Sequence, residues 1–157
     1  MPQYFAHRFP TSLGNMAIAW EGSRVRAIRL PERNDSALLA SLTDALGGPC
    51  AWETEAPAFV RELAAQAQRH LAGDFQRFSL RSLDLDGTSS FFRKVYEQAA
   101  AIPAGQVVTY GALARKAGSP KAARAVGQAM ARNRFPLVIP CHRVVGSTQK
   151  LVGFSAH

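Results

Sequence analysis

Cys141 and His142 stand side by side in the run Leu137-Val138-Ile139-Pro140-Cys141-His142-Arg143-Val144-Val145. The chain holds only one other cysteine, Cys50. Pro140 fixes its own φ and pushes Ile139 away from helical backbone, so the thiol belongs to a rigid bend inside an apolar, β-favouring run. Arg132, Arg134 and Arg143 lie on both sides of it. A thiol held at such a bend beside imidazole and positive charge is placed to ionise, and the thiolate is the nucleophilic form of cysteine.

The remaining polar residues offer less. Cys50 follows Gly47-Gly48-Pro49 in a loop with no basic neighbours, and reads as an inert thiol. One working thiol in a reducing compartment fits better than a Cys50–Cys141 disulfide. No Cys-x-x-Cys or His-x-x-x-His pair occurs, so no zinc site is expected. Asp74, Asp84 and Asp86 follow strand and turn edges and read as solvated carboxylates. His70, near a helix end, reads as solvated or as satisfying the helix dipole.

Several elements must carry these residues. Short apolar or alternating runs at Met16–Trp20 and Val25–Leu30 predict strands, with Glu21-Gly22-Ser23 as a hairpin connection. Leu38, Leu39, Leu42 and Leu46 predict a helix over Ser36–Leu46, stopped by Gly47-Gly48-Pro49. A second helix is expected over Pro57–Ala72, and a returning strand over Phe78–Leu85. Asp86-Gly87-Thr88-Ser89-Ser90 reads as a junction between a domain at 1–86 and one at 87–157. A helix over Phe91–Ala101, capped by Ser89 or Ser90, follows it. Tyr110–Ala117, the turn Gly118-Ser119-Pro120 and a helix from about Pro120 to Arg132 predict a helix–turn–helix.

Charge divides the same way. The 157 residues carry a net charge of +8. Residues 1–86 hold nine basic and ten acidic side chains, whereas residues 87–157 hold ten basic ones and a single acid, Glu97. So one-sided a balance points the second half at a polyanion, nucleic acid first. The second helix of the pair is rich in alanine and glycine and poor in base-reading side chains, which disfavours sequence readout in the major groove. It suits close approach in a minor groove, though small residues also serve ordinary helix packing. No apolar run is long enough for a bilayer, and Met1-Pro2-Gln3-Tyr4 opens no secretory signal, so a cytoplasmic protein is expected.

The run Ile139-Pro140-Cys141-His142-Arg143-Val144 resembles the active-site signature of the O6-alkylguanine-DNA alkyltransferases, the methylated-DNA–protein-cysteine methyltransferases. Pro103-Ala104-Gly105-Gln106-Val107-Val108-Thr109-Tyr110-Gly111-Ala112-Leu113-Ala114 and Lys121-Ala122-Ala123-Arg124-Ala125-Val126-Gly127 extend the resemblance over about Phe91 to Phe154. It implies an α/β (α+β) N-terminal domain, a ribonuclease H-like small sheet with helices. A mostly α-helical winged helix–turn–helix domain should follow. It also implies DNA repair without a cofactor, by a monomer. An alkyl group on O6 of guanine, or O4 of thymine, in double-stranded DNA would pass irreversibly to Cys141. The base must first leave the stack, because it is out of reach inside a duplex.

By resemblance, Cys141 is the alkyl acceptor and His142 draws its proton away through a water. Arg124 fills the gap left by the flipped base. Tyr110 turns the phosphate and then offers its hydroxyl to the base. Asn133 is the hinge between the DNA-binding helix and the cysteine loop. Met130, Pro140, Val144, Phe154 and Ser155 join Tyr110 and Asn133 as pocket wall. Gly111, Ser119 and Ser147 match phosphate contacts. An acceptor of this kind needs a cleft opening beside the sulfur, towards the arginine-bearing face.

Family members carry a further C-terminal helix whose glutamate bonds the active-site histidine, and no matching position of this chain supplies that glutamate. The expectation is a Cys141 less activated than in relatives with the full relay. The alternative function is a non-catalytic alkyl-lesion-binding (alkyltransferase-like) protein, although such relatives replace the cysteine that is kept here. A winged-helix regulator lacks support in the base-reading residues, and a cysteine hydrolase lacks a third orienting group.

Overall fold

The computed structural model of the chain describes residues 3–146, which form two compact units, one ending at Asp84 and the other beginning at Leu85. The content is mixed, with a small sheet and five α-helices among the described residues. None of the described helices is long and apolar enough to cross a membrane.

The first unit is built on a four-stranded sheet of order β3-β2-β1-β4. Strands β1 (Tyr4–Thr11), β2 (Gly14–Glu21) and β3 (Arg24–Arg29) form an antiparallel meander, and β4 (Cys50–Trp52) adds to β1 in parallel. Helix α1 (Asp35–Leu46) lays Leu38 and Leu42 on Ala6, Ala17, Ala19 and Ala27. The pleat sends Met16 and Ile18 to the other face, and α2 (Ala58–Leu71) packs on β1 and β2. Strand β2 is therefore buried on both faces, which explains its unbroken apolar run. Asn34 caps α1 by accepting from the Ala37 N–H at 2.8 Å, and Gly47, at φ 69°, closes it with an N–H bond to Thr43 O.

Three expectations fail in this unit, and of the two readings of His70 the solvated one is excluded. Phe78–Leu85 is not a strand: only Leu83 bridges Val25, flanked by Val25 N–H to Ser82 O and Asp84 N–H to Val25 O. The fourth strand is β4, so Cys50 lies in a sheet rather than a loop. Its inert character stands, because burial pushes its thiol up to about 11. Asp84 is buried, not solvated, and ion-pairs with Arg26 at 3.0 Å. His70 is buried too: its Nδ1 accepts from the Gln76 N–H at 2.9 Å, and its ring packs on Phe75 and Phe78. Asp84 could not be assigned from sequence position, since distant Arg26 captures it, whereas His70 is held by the chain that follows α2.

The second unit opens with α3 (Ser90–Ala100), capped by Ser89, which accepts from the Phe92 N–H. Val95, Tyr96 and Ala99 form its buried face. Strand β5 (Val108–Thr109) runs straight into α4 (Tyr110–Lys116), with Thr109 as N-cap. Gly118, at φ 89°, ends that helix. Ser119 N–H bonds Ala114 O and Gly118 N–H bonds Arg115 O, the paired bonds of a Schellman closure. Helix α5 spans Ala123–Ala131. It begins later than the position of Pro120 suggests, because Pro120 and Lys121 are spent in the turn and Ala122 is the cap. A 3₁₀ turn over Cys141–Arg143 leads into β6 (Val144–Val145), which pairs in parallel with β5.

Candidate active site

Pro140 has φ −81° and ψ 73°, and the Cys141 N–H bonds Ile139 O across it at 2.8 Å. This is an inverse γ-turn, whose central φ proline's ring already favours. Arg143 N–H then bonds Pro140 O at 2.9 Å, closing the 3₁₀ turn. Arg143 also donates from its guanidinium to Ile102 O at 2.7 Å. It is half-buried, burial lowers its pKa, and it fastens the turn to the residue beyond α3. Upstream, Leu137 holds φ 77°, a backbone state that strains a non-glycine residue by roughly 1–3 kcal/mol.

Asn133 organises the interior of the bend. Its side-chain nitrogen donates to Ile139 O at 2.8 Å, and its side-chain oxygen accepts from the Phe135 N–H at 2.8 Å. Asn133 is 5 % exposed and Cys141 2 %.

That enclosure opposes the expectation of a thiol placed to ionise. Burial raises the pKa of Cys141, while Asn133 and the backbone N–H groups of Cys141 and His142 lower it by a smaller amount. The thiol is thus held in its neutral form. Positive charge nearby in sequence does not ionise it, because Arg143 is committed to a carbonyl and desolvation is the largest effect. Cys141 itself is buried.

The parallel pairing Val108↔Val144 and Thr109↔Val145 brings the start of α4 beside the cysteine turn. Tyr110 is half-buried, and its phenol is pushed up first by burial and then by the Cys141 charge, so hydroxyl and sulfur lie within electrostatic reach. Gly127 of α5 backs the same ring: a Cβ there would stand 3.4 Å from it. Met130 and Val144 are 1 % exposed and Pro140 is buried.

The fold therefore gathers Tyr110, Asn133 and Cys141. His142 and Arg124 are exposed, and Gly111 and Ser119 half-buried. Ser119 has spent its N–H on closing α4, so its hydroxyl is what it can offer a phosphate. Ser147, Phe154 and Ser155 lie outside the described residues. Sequence reading missed Tyr96, a buried residue of α3 whose hydroxyl donates to Ala129 O at 2.8 Å and whose phenol feels the Cys141 charge. Only its place in the helical period marked it, and that spoke for packing.

Residues 90–157 match the family model described as "6-O-methylguanine DNA methyltransferase, DNA binding domain". The methylated-DNA–protein-cysteine methyltransferase of Methanosarcina acetivorans is 39 % identical over 108 residues, 69 % of this chain and 67 % of the relative. The constitutive enzyme of Bacillus subtilis is 44 % identical over 94 residues, 60 % of this chain and 56 % of its own length. A crystal structure of Mycobacterium tuberculosis O6-methylguanine methyltransferase superposes with TM-score 0.72 at 30 % identity, covering 97 % of this chain and 84 % of that one. The same organism's protein crystallised in complex with DNA gives 0.72 at 28 % identity, with 96 % and 84 % covered.

These likenesses define a DNA-repair methyltransferase fold. The chain belongs to the methylated-DNA–protein-cysteine methyltransferase family.

Proposed function

We propose that this protein repairs double-stranded DNA by transferring a methyl or other alkyl group from O6 of guanine, and from O4 of thymine, to Cys141. The observation that carries the reading is the placement of Asn133, bonded to Ile139 O, and of Tyr110, which follows the strand paired with Val144–Val145, around the bend that holds the only thiol of the second unit. The damaged nucleotide is everted from the stack, at a cost of a few kcal/mol that is smallest for a badly paired base. Phosphate contacts from the basic half offset that cost without reading sequence.

At the bend the thiol proton leaves towards His142 through water. The sulfur then attacks the alkyl carbon, a C–S bond forms, the C–O6 bond breaks, and its electron pair stays with guanine. Tyr110 suits the role of donor to the departing base: its raised pKa keeps the phenol protonated at neutral pH. Since Cys141 is buried, the everted base must gain access to it before transfer. A thioether has no simple route back to a thiol, so each molecule acts once and needs no cofactor.

Within this reading 1–86 is a structural domain of ribonuclease H-like form. Residues 87–157 form a winged helix–turn–helix, supported by α4, the Gly118 closure and α5, with β5 and β6 alongside. Arg124, exposed on α5, fills the vacated stack. Gly111, Ser119 and Ser147 hold phosphates, and Met130, Pro140, Val144, Phe154 and Ser155 shape the pocket. The protein acts as a cytoplasmic monomer.

A second reading, lesion binding without transfer, is favoured by the buried, weakly activated thiol. Intact-protein mass spectrometry after mixing with an O6-methylguanine oligonucleotide separates the two. Transfer adds about 14 Da and is abolished by Cys141→Ala; tight binding with unchanged mass supports the second reading.

A further inference from the structure

Helices α3 and α5 pack on each other, and one polar bond joins their buried faces. The hydroxyl of Tyr96, in α3, donates to Ala129 O, in α5, at 2.8 Å. Tyr96 and Ala129 are both buried. In a continuing helix Ala129 O would accept from the N–H of Asn133, four residues on. Here the Asn133 N–H bonds Met130 O at 3.3 Å, three residues back. That tighter closure ends α5 and turns the Asn133 side chain towards Ile139 O and the Phe135 N–H. The phenol therefore takes up the carbonyl that Asn133 has left, so that no buried acceptor stays unpaired there. Burial pushes the phenol pKa up to about 12, so the donor keeps its proton throughout the neutral range.

We propose that Tyr96 is a positioning residue for alkyl transfer: by holding Ala129 O it fixes where α5 stops and so keeps the Asn133 side chain on the cysteine bend. The inference rests on the reading of Cys141 as the alkyl acceptor. Tyr96 touches neither the base nor the sulfur in this role and acts through Asn133. Without the hydroxyl, Ala129 O is a buried acceptor in want of a donor, and the Asn133 N–H is its ordinary helical partner. Taking up that bond lengthens α5 by one residue and draws the Asn133 side chain off Ile139 O. The bend then loses the group that lowers the Cys141 pKa against the rise from burial.

The test compares Tyr96→Phe, Asn133→Ala and the double variant in the full chain. Iodoacetamide alkylation of Cys141 is followed against pH, with peptide mapping to separate it from Cys50. Arg132, Arg134 and Tyr110, which lie within electrostatic reach of the phenol or the sulfur, are unchanged in Tyr96→Phe. The midpoint should move to higher pH in Tyr96→Phe, as in Asn133→Ala, and the double variant should show no shift beyond that of Asn133→Ala alone. A tyrosine that serves packing only would lower the melting temperature and leave the midpoint in place, which overturns the inference. A shift of equal size with and without Asn133 also overturns it, because the hydroxyl would then act on the sulfur directly. No DNA enters this readout, so it stands or falls separately from alkyl transfer. With O6-methylguanine DNA, transfer by Tyr96→Phe at neutral pH should slow roughly two- to tenfold, the scale of coupling within one hydrogen-bond network, and recover as pH rises. A midpoint shift in a protein that transfers nothing would sink the reading of Cys141 and leave the link from Tyr96 to Asn133 standing. If Tyr96→Phe does not fold, NMR of the unsubstituted protein decides. A slowly exchanging Tyr96 hydroxyl proton with a cross-peak to the Asn133 N–H supports the inference, and one that exchanges freely with water overturns it.

Discussion

Asn133 holds two groups at once, the Ile139 carbonyl and the Phe135 N–H, and it lowers the Cys141 pKa against the rise from burial. Asn133→Ala should leave buried polar groups unpaired and destabilise the protein by about 2 kcal/mol or more in urea unfolding. It should also raise the Cys141 pKa further, moving iodoacetamide reactivity to higher pH. In the unsubstituted protein the raised pKa means that the thiolate fraction, and with it the transfer rate, still climbs with pH above neutrality. A rate that levels off below pH 7 would count against that thiol state. Cys50 gives a stability effect of defined sign. Its folded pKa lies near 11, above the ordinary value of 9.0, so the unfolded chain loses the proton first. Stability should therefore fall as pH rises from about 9 to 11, less steeply in Cys50→Val, measured by thermal melts. Residue types made Cys141 legible in sequence. They could not reveal its neutral state, because burial and the capture of Arg143 by Ile102 O depend on distant parts of the chain.

Helix ends explain why some elements could be read and others not. Ser89, Thr109 and Gly118 are local signals, and each sits where its chemistry requires. Gly118→Ala should cost roughly 1–2 kcal/mol, since the αL backbone that closes α4 opposes a Cβ; chemical denaturation measures it. Gly127 bears on the site instead. A Cβ there already stands 3.4 Å from the Tyr110 ring, so Gly127→Leu should push the ring aside and slow transfer more than it lowers the melting temperature. By contrast, β4 is three residues long and exists only because β1 offers an edge. Phe78–Leu85 has the composition of a strand but finds just one bridge, at Val25. The late start of α5 follows from turn hydrogen bonds at Ser119 and Ala122 that no periodicity reports.

At the scale of the molecule, charge separation was visible in the sequence, whereas the enclosure of the sulfur was a property of the packed fold. With ten basic residues against one acid beyond residue 86, binding to undamaged DNA should weaken steeply with salt. A salt-insensitive affinity would contradict a phosphate-led encounter. The most direct measurement counts isotope-labelled methyl groups transferred from excess O6-methylguanine DNA, followed by peptide mapping. The account predicts a plateau at a single methyl per chain, all of it on the peptide holding Cys141 and none on that of Cys50. Continued turnover past that plateau, label on another residue, or tight binding with no label at all would contradict it.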